Sequence, residues 1–304
     1  MRQLLALILI VVLGGAGIYL LTPEGRQLID RVRVNMTRAD YMARFRAGEP
    51  LPGTPDLEHI DARLAAAGVE MGVPVYVRIF KLEHELEIWV EKDGRFVRFA
   101  TYPICLWSGR LGPKLQEGDR QAPEGFYTVD AEQLNPNSRM HRSFSLGFPN
   151  LYDQAHGRTG SFLMVHGGCA SVGCYAVTDP AVDEIWRLVT GALDKGQPRF
   201  PVHAFPFRMT DANLRLRRGS HWDGFWAELK TGYDLFEQSH IPPVVSVCNG
   251  RYVFAPGTIA TANSAVEARC PPEVTGNPLA SRRRSGARNP PPDVAAIAID
   301  SALR

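Results

Sequence analysis

The chain has 304 residues, 45% hydrophobic and 22% charged, a balance that suits a globular protein with a sizeable core. A net charge of +2 removes any bulk electrostatic case for nucleic-acid binding. Basic residues are local: Arg26, Arg31, Arg33, Arg38, Arg44 and Arg46 come after an N-terminal apolar run, and Arg282, Arg283, Arg284 and Arg288 lie near the C-terminus.

From Leu4 to Leu21 the chain carries no charge, which fits a signal peptide or a short membrane anchor within residues 1–22. No polar face interrupts the run, which argues against a buried core helix. No small-x-small cleavage site lies beyond it, which favours an uncleaved anchor. The arginines after the run would place the bulk of the chain in the cytoplasm under the positive-inside rule. The chemistry of residues 162–179 argues for the outside instead. The expected location is therefore periplasmic, anchored in the inner membrane or secreted after cleavage.

Residues 23–55 are polar, basic and punctuated by Pro50, Pro52, Gly53 and Pro55, and suggest a juxtamembrane linker. Asp56 is a candidate N-cap for a short helix with Leu57, Ile60, Leu64 and Ala67 at helical spacing and Gly68 as its stop. Val73, Val75, Val77 and Ile79 alternate as in a strand. Leu86–Glu91 and Arg95–Ile104 flank Lys92-Asp93-Gly94 and predict a hairpin. Leu106–Glu124 is rich in Gly and Pro, a long loop of the kind that carries function. Short strands are expected at Gly125–Val129, Ser143–Phe148 and Ser161–His166. Asp179-Pro180 opens an amphipathic helix. A strand over Phe200–Met209, a helix over Trp222–Phe236 and a hairpin around Asn249-Gly250 complete the series. The pattern predicts one mainly β domain over 56–256 with a few helices. Residues 257–304 form an expected disordered Pro/Arg-rich tail. No internal repeat is visible.

Five cysteines leave at least one unpaired: Cys105, Cys169, Cys174, Cys248 and Cys270. One free thiol with two disulfides, such as Cys105–Cys169 and Cys248–Cys270, fits the count, although sequence does not determine connectivity. The informative stretch runs from Phe162 to Asp179. An apolar strand delivers His166, glycines 167 and 168 come next, and Cys174 stands after Gly173 just before a helix. A thiol attacks as thiolate and needs a base within reach, a role open to His166. N–H groups near Gly173 and Cys174 are candidate oxyanion donors. Three alternatives use the same residues. His166 and Cys174 can be purely structural; His166, Cys169 and Cys174 can ligate zinc, with His203 as a fourth ligand; and Cys169 can pair with Cys174.

The pattern His-Gly … Ser-x-Gly-Cys resembles the signature of the YkuD-type L,D-transpeptidase catalytic domain. Tyr102-Pro-Ile-Cys105, Ser108–Lys114, Glu117-Gly-Asp119, Ala122–Tyr127, Leu134-Asn-Pro136, Gly147–Asn150 and Trp226–Tyr233 are similar to its YafK-like subgroup. The resemblance covers roughly residues 75–255. It implies a β-rich, sandwich- or barrel-like fold and a thioester acyl-enzyme with no cofactor and no metal. Cys174 would be the nucleophile, His166 the acid/base, and the Gly167 carbonyl its orienting partner. Ser171 and Gly173 would shape the turn and oxyanion site. Val172 and Ala176 stand where many members carry histidine and arginine, which puts the usual donor specificity in doubt. Lys114 and Asp119 are candidate substrate contacts. The implied partners are peptidoglycan stem peptides, with a wall-anchored lipoprotein as a further acceptor, and the membrane only through the N-terminal segment. The implied reaction is L,D-transpeptidation at meso-diaminopimelate. The alternatives are an amidase that releases wall-linked lipoprotein with water as acceptor, and a non-catalytic wall-binding or zinc-binding module.

Overall fold

The computed structural model describes residues 22–270. The expected anchor and the Arg-rich part of the tail lie outside the described residues. Among the described residues, no helix is long and apolar enough to cross a membrane.

The segment read as a linker is instead a helix, α1 (Pro23–Ala47). Thr22 caps it, its side chain accepting from Gly25 N at 3.2 Å, and Pro23 stands at the first turn. One side buries Val34, and Asp30 pairs with Arg217 far along the chain. Leu28, Ile29, Val32 and Met36 are exposed. Apolar residues on the docked and solvent sides together blur the helical period, so the sequence pattern concealed the helix. Helix α2 (Ile60–Ala67) starts later than expected. The Asp56 carboxylate makes a turn with Glu58 N and the His59 ring rather than capping the helix. Gly68, at φ +68°, ends it in the left-handed region that glycine adopts freely.

Strands β1 (Val75–Phe80), β2 (Glu85–Lys92) and β3 (Arg95–Pro103) form a meander with the expected Asp93-Gly94 turn. Next come β4 (Leu106–Trp107), β5 (Gly125–Val129), β6 (Leu134–Ser138), β7 (His141–Ser145) and helix α3 (Leu151–Ala155). After these are strand β8 (Met164–His166), strand β9 (Tyr175–Ala176), helix α4 (Asp179–Asp194) and strand β10 (Phe200–Phe205). Helices α5 (Asp211–Leu216) and α6 (Asp223–Ser239) and strands β11 (Val244–Cys248), β12 (Arg251–Ala255) and β13 (Glu267–Ala268) end the series. The expected strand over 200–209 stops before Pro206, which cannot donate to a ladder.

The strands make three open sheets in the orders β3-β2-β1-β10-β5, β4-β9-β8-β7-β6 and β12-β11-β13. None closes into a barrel. One hydrophobic cluster joins the two large sheets: Val77, Ile79, Val202 and Phe126 meet Phe144, Val165 and Tyr175, with Ile185 and Val189 of α4 and Leu229 of α6. Strand β1 is buried along its whole length, because it is the central strand of its sheet and covered on both faces. Residues 257–270, expected as tail, fold back instead: β13 runs parallel to β11, and Cys270 is bonded to Cys248.

Candidate active site

The second sheet builds the site. Strand β7 lies beside β8, with Ser143 opposite His166. Strand β9 lies parallel on the other side, with Val165 beside Tyr175 and His166 beside Ala176. Side chains alternate along a strand, so the position before Tyr175 shares its face with His166, one pleat away. That position is Cys174, the one free cysteine. Ideal strand spacing and rise continued to this bend would put the two Cα atoms about 8 Å apart, and no hydrogen bond joins the sulfur to the imidazole: its own contacts are the Phe162 carbonyl and the Met164 backbone.

The imidazole is 4% exposed, and its Nδ1 bonds the Gly167 carbonyl. An Nδ1–H donating there leaves Nε2 as the nitrogen with a lone pair. Burial pushes the His166 pKa down, while the Gly167 carbonyl and the nearby Asp179 charge pull it back part of the way. Gly167 is required by crowding: a Cβ would lie 2.5 Å from Asp179 Oδ1 and 3.1 Å from Val182. Burial pushes the Cys174 thiol up, opposed by the Met164 backbone and the Lys114 charge. The resting pair is therefore neutral thiol and neutral imidazole, an arrangement suited to proton transfer during attack rather than to a standing ion pair.

Two serines hold the turn before the sulfur. Ser171 Oγ accepts from Cys174 N at 3.1 Å and donates to Cys174 O at 2.7 Å. Ser108 Oγ accepts from Gly173 N and lies 3.0 Å from Ser171 Oγ. Gly173 sits at φ +114°, where a side chain would be strained. The N–H groups of Gly173 and Cys174, expected to face an oxyanion, are thus committed to hydroxyls, because the tight turn points them inward. The sulfur contacts the Phe162 carbonyl at 3.5 Å. Phe162 and Val172 are 79% and 76% exposed, so the two segments beside the thiol reach solvent.

Lys114 and Asp119, expected as substrate contacts, are bonded to each other at 2.6 Å. Lys114 is buried, and Asp119 also accepts from Leu115 N, Gln116 N and Gln121 N. Burial raises the Asp119 carboxyl, but the ammonium and the three N–H donors outweigh it and hold it below the ordinary value. The pair organises the loop, and Lys114 reaches the thiol through its charge. His203 lies in the core of the other sheet, its Nδ1 2.7 Å from Tyr76 OH. Cys169 is bonded to Cys105, which removes it from the zinc set and from a bridge to Cys174. Among the described residues, no group of three His, Cys, Asp or Glu side chains could hold a metal.

Sequence reasoning did not single out Ser108, Phe162 or Asp179. Ser108 reaches the turn from far along the chain, and no local spacing signals such a contact. Asp179 stood out only as a helix start. The residue before it, Thr178, is the N-cap, and Asp179 Oδ1 is buried without a hydrogen-bond partner.

The model of the L,D-transpeptidase catalytic domain (YkuD) matches residues 74–214. A curated relative from Escherichia coli (strain K12), named "Putative L,D-transpeptidase YafK", is 52% identical over 183 residues, covering 60% of this chain and 74% of the relative. The chain belongs to the YkuD L,D-transpeptidase family. As such it is an L,D-transpeptidase-type enzyme, of a family that acts on peptidoglycan stem peptides. Among solved structures, the helical cell shape determining protein Pgp2 of Campylobacter jejuni is 19% identical, with a TM-score of 0.36, covering 60% of this chain and 65% of that one. Bd1075 of Bdellovibrio bacteriovorus is 14% identical, with a TM-score of 0.33, covering 57% and 76%. Helices α1, α2 and α6 and strands β11–β13 all lie outside the YkuD match.

Proposed function

We propose that this enzyme forms a thioester through Cys174 on the meso-diaminopimelate of a peptidoglycan tetrapeptide stem and passes the acyl group to an amine. The observation that carries the reading is a lone free thiol one pleat from an imidazole whose Nδ1 is engaged by a backbone carbonyl. As the sulfur attacks the amide carbonyl, its proton passes to His166 Nε2. The C–N bond to D-alanine breaks, and the imidazolium returns the proton to the departing amine. An acceptor amine then attacks the thioester, gives its proton to Nε2 and releases the thiolate, which takes that proton back. The Gly167 carbonyl supports the imidazolium where a Ser-His-Asp triad uses a carboxylate. No metal or cofactor is needed for any step.

Two disulfides suit an oxidising compartment, which supports action in the periplasm. The acceptor is another stem or a lysine of a wall-anchored lipoprotein. Water in its place would make the enzyme an amidase releasing that lipoprotein, and the solvent-open rim at Phe162 and Val172 favours this second reading.

The test uses purified protein with a disaccharide-tetrapeptide and, separately, with a lipoprotein-linked muropeptide. A cross-linked dimer identifies the transferase, and release of the lipoprotein peptide alone identifies the amidase. Carbapenem should add covalently to the native protein and not to Cys174→Ala, as read by intact mass. Substantial turnover by Cys174→Ala would end the thioester mechanism.

A further inference from the structure

Helix α1 and the Trp107–Gln121 loop enclose a cavity of about 390 Å³ that the thioester chemistry does not use. Two carboxylates line it, and both are engaged. Asp30 holds Arg217 through two bonds of 2.8 and 2.7 Å, and Asp119 holds Lys114. Four arginines that line it, Arg26, Arg31 and Arg38 on α1 and Arg110 on the loop, have no carboxylate partner among the described residues. The cavity therefore carries uncompensated positive charge.

Arg38 shows the imbalance most clearly. Its guanidinium lies 4.4 Å above the Trp107 ring and donates to Gly109 O at 3.2 Å. Its Nε is buried without an acceptor, and so is the indole N–H of Trp107. Burial lowers its pKa, with no anion nearby to oppose the shift. A partly desolvated cation without a counter-charge is costly, and an entering anion would relieve that cost. Guanidinium forks favour planar carboxylates, and the half-buried Trp222 ring offers flat apolar surface beside them. The volume falls at the low end for small-ligand pockets and admits a short peptide segment rather than a folded partner.

One wall of the cavity also backs the thiol turn. The loop that contributes Arg110 and Gln121 carries Ser108, whose hydroxyl accepts from Gly173 N. The opposite wall, α1, lies outside the YkuD match, so the cavity is an addition to the family domain.

We propose that this cavity binds the carboxylates of a peptidoglycan stem peptide, as a second binding site behind the loop that supports the thiol. The choice of stem peptide rests on the proposed transpeptidase function; the anionic character of the ligand does not.

The test titrates full-length Cys174→Ala protein with disaccharide-tetrapeptide, monitoring heat and tryptophan emission. Three of the five tryptophans, Trp107, Trp222 and Trp226, line the cavity. Arg38→Ala should weaken binding about tenfold, the scale of one lost charge-assisted contact. The rim pair Arg26→Ser/Arg31→Ser, at a half-buried and an exposed position of α1, should weaken it severalfold, and carry the test if Arg38→Ala loses the fold. A tetrapeptide with amidated carboxyl groups should bind about tenfold more weakly. Unchanged affinity in every variant that folds overturns the proposal. Equal competition by inorganic phosphate means a generic anion pocket and overturns the stem-peptide assignment. The same rim substitutions, made in protein retaining Cys174, should leave carbapenem acylation at its unsubstituted rate. Failure of the unsubstituted protein to acylate would sink the thioester mechanism and leave the binding result standing.

Discussion

Asp179 is the one charged group that shifts His166, and its effect is to favour the imidazolium. Because burial outweighs it, the imidazole titrates below its ordinary value. The acid limb of kcat/KM should therefore fall below about pH 6.5, the unperturbed imidazole value, since the base stays deprotonated to lower pH than a free histidine. Asp179→Asn removes the charge that holds the pKa up, so the limb should move to still lower pH. It should also slow acylation, because the transient imidazolium loses a stabilising neighbour. A pH–rate profile of carbapenem acylation reads both effects. A limb that moves to higher pH would show that Asp179 acts through structure rather than charge.

At the level of the element, the bridge between Cys105 and Cys169 joins the segment after β3 to the loop between β8 and β9. Its sequence separation of 64 removes considerable freedom from the unfolded chain, so Cys105→Ala/Cys169→Ala should cost about 2–4 kcal/mol in denaturant unfolding. Acylation per folded molecule should change little, because β7–β8–β9 pairing, not the bridge, sets the register of His166 and Cys174. That register explains which parts of the site were legible in the sequence. A strand ending in His166, glycines and then Cys174 before a helix are all local signals, and they name the proposed pair directly. Ser108 was hidden because its partner Gly173 is remote in sequence. The pairing of Lys114 with Asp119 was hidden because sequence offers charges without their partners. Most strands and the amphipathic helix α4 were legible from period. Helix α1 was not, because apolar residues left on its solvent side, Leu28, Ile29, Val32 and Met36, blur its period.

Across the whole molecule, buried imidazoles link stability to acidity. Burial is the leading cause that lowers His84 to about 4, and the Ile104 carbonyl only partly opposes it. His203 is lowered well below the ordinary value by burial and the Arg78 charge. The unfolded chain takes up protons at these positions near pH 6.5, while the native protein does not. Stability should hold above that value and decline as pH falls from about 6.5 toward about 4, with proton uptake on unfolding. Thermal melts across that window check the sign. His84→Gln, which keeps a side chain able to donate to the Ile104 carbonyl, should flatten part of the slope.

The staple at Cys169 lies a few positions from the sole free sulfhydryl. Bench handling inherits a conflict from this. Dithiol reagents added to guard Cys174 against air will, at sufficient dose, also open the staple. A preparation kept in them would retain its reactive sulfur while losing tolerance to heat. A colorimetric sulfhydryl count distinguishes the two conditions, with one group per chain when both bridges are closed and five when neither is.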